Sequence, residues 1–468
     1  MIAASFLIFL LIFLFIGLSS LIKSGKTQDD YLVAGKSIAP WLAGLSAVAT
    51  NNSGFMFIGM IGLTYATGLS SIWLMIGWIA GDFLASLIIL RPLHRASRSD
   101  EIHSYGGLIA HWYGQNHVTL RRIVGVFTIL FLSLYAAAQL KAGSKATMVL
   151  LDWQPSWGVI IGAVIVLLYS AAGGIRASIW TDAAQSIVMI IGMVLLIFGG
   201  VSLAGGWDAS VEKMVNITPH YLSWFPDTDF LGITLFILGW VFGGVTVFGQ
   251  PQIVVRFIAL DNESNINRMR VYYYVWFTLF YGAAILVGLL SRIAFPDTSV
   301  FDAELALPAL AKLVLPDVMT GLILAALFSA TLSTADSLIL ACSASVTRDF
   351  TSKVGKLQSL WAAKLTTACV LLVAVIIALT GAESVFALVL DAWGLLGSAF
   401  MPLILLLALG KQVSQLVAII MVVSGVVAFI IWQQLGLGGL IYSVAPGVLV
   451  GLMCGFIGDI LFKNKGSN

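Results

Sequence analysis

The chain has 468 residues, of which 60% are hydrophobic and only 10% are charged, and its formal net charge is +2. This composition excludes a soluble globular domain, a disordered tail and a nucleic-acid surface, because the apolar residues far exceed what one aqueous core buries. Its three cysteines all fall in apolar runs, which excludes a disulfide framework.

Runs long enough to cross a bilayer, roughly 20 apolar residues at ~1.5 Å rise, lie at about 2 to 23, 41 to 67, 71 to 92, 122 to 150, 157 to 173, 179 to 203, 229 to 254, 271 to 293, 317 to 344, 360 to 380, 385 to 408, 414 to 434 and 441 to 462. The fold class is therefore all-α and membrane-integral, with 13 spans and no separate soluble domain. The first run lacks a basic leader and a small-residue cleavage site, so it reads as a retained span and not a secretory signal. An odd number of crossings puts the termini on opposite faces. Basic residues are retained on the cytoplasmic side. With the N-terminus outside, 18 of the 24 Lys and Arg fall inside, among them Lys23, Lys26, Arg176, Arg256, Lys353, Lys356 and Lys465, so the predicted topology is N-out, C-in.

Only the inner segment 94 to 120 and the outer segment 205 to 227 are long enough to hold short interfacial helices of their own. Trp153, Trp157, Trp207, Trp224 and Tyr221 near span ends read as headgroup anchors. Cys342, Cys369 and Cys454 read as buried apolar packing. His94, His103, His111, His117 and His220 fall in loops without the clustering a transition metal needs.

Two spans are interrupted. The second contains Ala49-Thr50-Asn51-Asn52-Ser53-Gly54, a run of weak helix formers, and the seventh contains three glycines and Pro251 between Gly243 and Pro251. Backbone freed from a helix at membrane depth is tolerated only where protein or a bound solute and ion supply partners. These interruptions open two successive blocks of five spans, 41 to 203 and 229 to 408, flanked by 1 to 40 and 409 to 468. Five is odd, so the blocks run in opposite directions, the inverted repeat of many secondary transporters.

Asp82, Lys141, Asp182, Asp336 and Asp391 lie within predicted spans, where a charge costs at least ~2.5 kcal/mol to insert and needs a partner. Helical spacing places Ser333, Asp336 and Ser337 on one face. Together with carbonyls near Ala330, Ala49 and Asn52 they offer an all-oxygen shell of the kind hard cations take. Asp182 is placed to extend that shell, with Lys141 as a candidate counter-charge, while Asp82 and Asp391 read as packing residues. Neither Asp182 nor Asp336 has the Tyr-Asp or Gly-x-Gly-Asp surroundings of an intramembrane aspartyl protease, so no catalytic residue is assigned and the chain reads as no enzyme.

In order along the chain, Thr50-Asn51-Asn52-Ser53-Gly54, Trp180-Thr181-Asp182-Ala183-Ala184-Gln185, Phe248-Gly249-Gln250-Pro251-Gln252 and Ser333-Thr334-Ala335-Asp336-Ser337 resemble the sodium/solute symporter family, most nearly its bacterial sodium/proline symporters. The resemblance implies a LeuT-like fold, a bacterial cytoplasmic (inner) membrane location and sodium as the coupling ion, with no cofactor. It also implies a sodium site of Ala49, Asn52 and Ala330 carbonyls with Ser333 and Thr334 hydroxyls. In some relatives a second ion site uses the positions of Asp182, Ser333, Asp336 and Ser337; an aspartate at 336 favours that option and equally offers a proton site. Ser53, Gly54, Phe55, Tyr135, Trp240 and Gln250 are the candidate walls of the solute site.

Asn51 stands where proline carriers typically show aspartate, and Gly243 and Val247 replace an aromatic pair. Proline is the leading substrate on this reading, with other amino acids and small organic acids open. Proton coupling is the closest alternative mechanism. A transporter-like sensor would carry a signalling module after the last span, where only Lys463 to Asn468 follow. The expected partners are a small solute, sodium and lipid, with no nucleic acid and no obligate protein partner.

Overall fold

A computed structural model describes residues 1–19, 28–98, 102, 104–350, 360–381 and 384–463. Lys23, Lys26, His103, Lys353, Lys356 and Lys465 lie outside the described residues. Apolar sequence folds here as helix after helix because only a helix satisfies its own backbone in lipid. In chain order these are α1 (Ile2–Ser19), α2 (Gln28–Val33), α3 (Pro40–Gly54), α4 (Ile61–Thr67), α5 (Ile72–Ala96), α6 (Tyr105–His111), α7 (Val118–Leu151), α8 (Pro155–Ala204) and α9 (Trp207–Val215). There follow α10 (Phe230–Val245), α11 (Pro251–Ala259), α12 (Ile266–Ala294), α13 (Ala306–Val314), α14 (Asp317–Ala344), α15 (Leu360–Thr380), α16 (Val385–Ala408), α17 (Gln415–Gln434) and α18 (Val444–Lys463).

Among the described residues nine helices are long and apolar enough to cross a membrane, one of them, Pro40–Ala96, covering the second and third expected spans, and shorter apolar helices at Ile2–Gly17, Pro155–Leu168 and Val444–Ile460 lie at three more of the thirteen expected spans. α3 and α4, joined through a π-helical turn at Phe55–Met60, make the second, and α10 with α11 the seventh. The long α8 holds the fifth and sixth, bent where Gly174 takes φ 56°. A Cβ at Gly174 would collide with the Tyr31 carbonyl, so this bend needs glycine. The two long loops carry α6 and α9 as expected, while α2 and α13 are short helices outside the expected spans.

α14 is the central post, packed against α1, α3, α7 and α8. The inner ends of the two repeats are stitched together. Ile38, just before α3, donates its N–H to the Ala259 carbonyl at 2.9 Å, and Asp261 returns one to Ile38 at 3.0 Å. On the outer side, Lys145 of α7 pairs with Asp302 at 2.8 Å and Glu304 at 2.6 Å, and Glu304 accepts the Phe386 N–H at 2.9 Å at the start of α16.

Several single-residue expectations are corrected. Arg176 and Arg256 are buried within the helix bundle and not in inner loops, because Asp30 and Asp182 pair with them. His94 is buried at the end of α5, its ring beside Arg98 and the Leu260 carbonyl. Tyr221 is no headgroup anchor: it is buried, and its hydroxyl reaches the carbonyls of Thr64 and Tyr65. Of the cysteines only Cys342 is fully buried, whereas Cys369 is exposed on its helix and Cys454 is half-buried.

Candidate functional site

The first interruption is sharper than the polar run suggests. Helix persists through Asn52 and yields at Ser53, with φ 50° and ψ −163°. A non-glycine residue held at such angles costs about 1–3 kcal/mol unless its surroundings over-determine it. α7 provides those surroundings. Ser53 Oγ lies 3.1 Å from Tyr135 Oη, accepts from Gln139 Nε2 at 3.5 Å and accepts the Phe55 N–H at 3.2 Å. Gln139 Oε1 accepts the Gly54 N–H at 2.8 Å. A Cβ at Gly54 would press on Ala142 and Thr331, so glycine lets α3, α7 and α14 meet.

The carbonyls of Ala49 and Asn52 belong to the last helical turn before the break, where ordinary helix partners run out. Asn52 gives one lone pair to the Phe55 N–H and keeps the other. Thr50 Oγ1 and Asn52 Nδ2 are buried without a protein partner among the described residues. α14 packs opposite, with Ala330, Ser333 and Thr334 all buried.

Asp182 of α8 ties these two walls together. It accepts the Ser46 hydroxyl of α3 at 2.5 Å on one oxygen and the Ser333 hydroxyl of α14 on the other. Arg256 completes the knot, its Nη2 3.1 Å from Asp182. The same guanidinium donates to Ser46 at 2.9 Å, to the Gln252 carbonyl at 2.6 Å, to Ser178 at 3.3 Å and to Ser337. A buried ion pair is tolerable only when its remaining donors and lone pairs are met in this way. Of the residues expected at a second ion site, Asp182 and Ser337 thus gather around Arg256, and Ser337 donates to the Ser333 carbonyl at 2.8 Å. Asp336 is fully buried. Lys141 gives its ammonium to the Gly381 carbonyl at 2.9 Å. Asp391 accepts from Gln433 at 2.8 Å.

Beside the break sits an aromatic box. Phe55 stacks on Phe386 at 5.3 Å and on Trp78 at 6.0 Å, and Trp78 meets Trp393 at 4.9 Å and Trp240 at 6.3 Å. Trp393 Nε1 donates to the Gly243 carbonyl and to Thr246 Oγ1, both at 3.0 Å. Trp78 Nε1 is buried without a partner among the described residues. Gln250 belongs to the second break, its Nε2 3.0 Å from the Trp393 carbonyl. Of the expected solute walls, Phe55 and Trp240 share the box, Ser53, Gly54 and Tyr135 form the break, and Gln250 fixes the opposite helix. Sequence reasoning missed Ser46, Trp78, Gln139, Ser178 and Trp393. Gln139 carried a signal, since an amide in the middle of an apolar span needs a partner.

Two interrupted helices opening oppositely directed repeats, with polar side chains converging between them, define an ion-coupled secondary transporter of the LeuT-like fold. A Na+-coupled sialic acid symporter, solved in a substrate-bound outward-open state, shares that fold with a TM-score of 0.82 over 98% of both chains at 20% identity. Mhp1, a nucleobase-cation-symport-1 family transporter, does so with a TM-score of 0.57 over 93% of this chain and 95% of its own, at 15% identity. Residues 31–425 match the model of the sodium:solute symporter family, and the chain belongs to that family, with sodium as its coupling ion. It is similar to the high-affinity proline transporter PutP of Bacillus subtilis, 28% identical over 94% of each chain. It is likewise similar to the sodium/proline symporter of Escherichia coli, 27% identical over 95% of this chain and 89% of that one.

Proposed function

We propose that this protein imports proline or a closely related small amino acid together with sodium across the cytoplasmic (inner) membrane, by alternating access. The whole chain is read as one transporter domain, with repeats at 41 to 203 and 229 to 408 between the first span and the last two. The observation that carries the reading is the helix break at Ser53, packed against α14 where Gly54 faces Thr331, with Asp182 tying both helices. Carbonyls of Ala49, Asn52 and Ala330 with the hydroxyls of Ser333 and Thr334 form the sodium cage, and the cation entering it locks α3 to α14.

Trp78 Nε1, a buried donor in an otherwise apolar aromatic box, takes an oxygen of the solute's carboxylate, and the rings of Phe55 and Trp240 enclose its apolar body. The membrane potential adds ~2.3 kcal/mol per elementary charge per 100 mV to the inward drive on sodium. Coupling follows because ion and solute both prefer the state in which the broken helix is closed on α14, and that preference is reciprocal.

Uptake of radiolabelled proline into proteoliposomes, with sodium and proton gradients imposed separately, tests the reading. Accumulation driven by sodium alone, and competed by small amino acids, is expected. Accumulation that ignores sodium and collapses with the proton gradient would overturn it.

A further inference from the structure

A second polar cluster lies against the same broken helix and takes no part in the sodium cage. Asp82 of α5 is 1% exposed. Its Oδ2 accepts the Tyr273 hydroxyl at 2.6 Å and the Asn51 amide at 3.2 Å, and its Oδ1 accepts the Tyr274 hydroxyl at 2.9 Å. Asn51 Nδ2 also meets Tyr273 Oη at 2.5 Å. Every one of these partners is neutral. Among the described residues no Lys or Arg forms an ion pair with Asp82. On α12 the nearest basic group, Arg270, gives its guanidinium to the Ser86 carbonyl, and Tyr281 stands further along the same helix. α10 carries no titratable side chain, the charge of α11 at Arg256 is held by Asp182, and Asp391 of α16 is engaged by Gln433.

We propose that Asp82 is a proton-binding site whose occupancy sets the sodium affinity of the broken helix through Asn51; this rests on the sodium-symport reading above. The geometry selects the ligand. An ionised carboxylate offers about four lone-pair positions, and three are already taken by donors that aim hydrogens at it. A metal ion would face those hydrogens and find too few free oxygens, whereas a proton needs only the one position left. A buried acid without a counter-cation is also one whose ionised form leans wholly on such hydrogen bonds.

Binding the proton at that free position on Oδ1 neutralises the carboxylate, so the charge-assisted bonds it accepts all weaken. The Asn51 contact is the longest of the three and is the one given up. Asn51 is followed directly by Asn52, whose carbonyl belongs to the cage, and two residues on by the strained Ser53. Left with the Tyr273 contact and without the charged one, Asn51 holds less firmly the turn that presents those carbonyls. Proton and sodium are then antagonists by linkage: acid weakens sodium binding, and sodium drives the proton off.

The test uses purified full-length protein with sodium alone as the probe, since a ligand that binds only the folded state raises its thermal stability with concentration. Sodium is titrated against choline at a series of pH values. The wild type should need several-fold more sodium for half-maximal stabilisation in acid than at mildly alkaline pH. Asp82→Asn, which keeps an acceptor and cannot take the proton, should show no such change. Tyr274→Phe removes one donor from the ionised form and should move the response to more alkaline pH, and Asn51→Ala should abolish it with Asp82 still present. Should Asp82→Asn not fold, the last two variants carry the test.

A wild type stabilised by sodium equally at every pH, or a pH response that survives Asp82→Asn or Asn51→Ala, would overturn this inference and leave symport intact. A protein that sodium stabilises at no pH would overturn the symport reading and this inference together.

Discussion

In the second span the helix yields at Ser53, a residue that resists positive φ and is held there by Tyr135 and Gln139, whereas in the seventh it yields at Gln250, between Gly249 and Pro251. Proline supplies no N–H for a continuing helix and disfavours helical angles in the residue before it, so the second break is written into covalent structure. The first is written into neighbouring side chains. A break that depends on neighbours responds to them, and it is the one that borders the proposed sodium cage and the Asp82 cluster. Gln250 sits at φ −105° and ψ 100°, unstrained and tied to the Trp393 carbonyl. The first repeat thus carries the responsive element and the second a fixed one.

Arg256 joins the two halves, since it leaves the fixed break on α11 and ends on Ser46 and Asp182 beside the responsive one. The largest effect is therefore expected from Arg256→Met. It strands Asp182 in a buried setting at a cost of about 3–5 kcal/mol, read as lost folded yield or a fall in Tm, and adding Asp182→Asn should restore much of the loss. Next comes Gln139→Leu, which leaves the buried Gly54 N–H without an acceptor, worth about 1–3 kcal/mol, and weakens stabilisation by sodium. Pro251→Ala should cost less, about 1 kcal/mol or below, and leave the sodium response unchanged. Equal sodium effects from the two variants would erase the contrast between the breaks.

At Ser53 itself both substitutions lose the hydroxyl, but glycine relieves the strained φ and alanine does not. Ser53→Gly should be the more stable by about 1 kcal/mol in thermal unfolding. Stability is affected least at the box: Trp78→Phe removes one hydrogen bond to the solute's carboxylate, about 1.5–3 kcal/mol of binding, seen as a tenfold or larger rise in the proline concentration for half-maximal uptake.

The spans, their order and both breaks were legible because lipid imposes a length and Gly, Pro and short polar residues stand out against it. What stayed hidden depended on pairs far apart in sequence. Arg256 follows an apolar run and counts as a loop residue by any charge rule, and only the fold brings Asp182 to it across 74 positions. Lys141 sits inside a span yet reaches the Gly381 carbonyl, because α7 is 34 residues long and carries it towards the outer end. Trp78 is one apolar residue among many until its indole N–H is found buried without a partner. Asp82 reads as packing until Tyr273, Tyr274 and Asn51 are seen to converge on it.

Equilibrium binding of radiolabelled sodium to the purified protein probes the cage most directly, with Thr334→Ala as the cleanest variant because the Ser333 hydroxyl also serves Asp182. Saturable binding in the wild type, weakened about tenfold by Thr334→Ala through the loss of roughly 1.4 kcal/mol, is the expected result. Sodium binding of unchanged affinity in both Thr334→Ala and Ser333→Ala would contradict it.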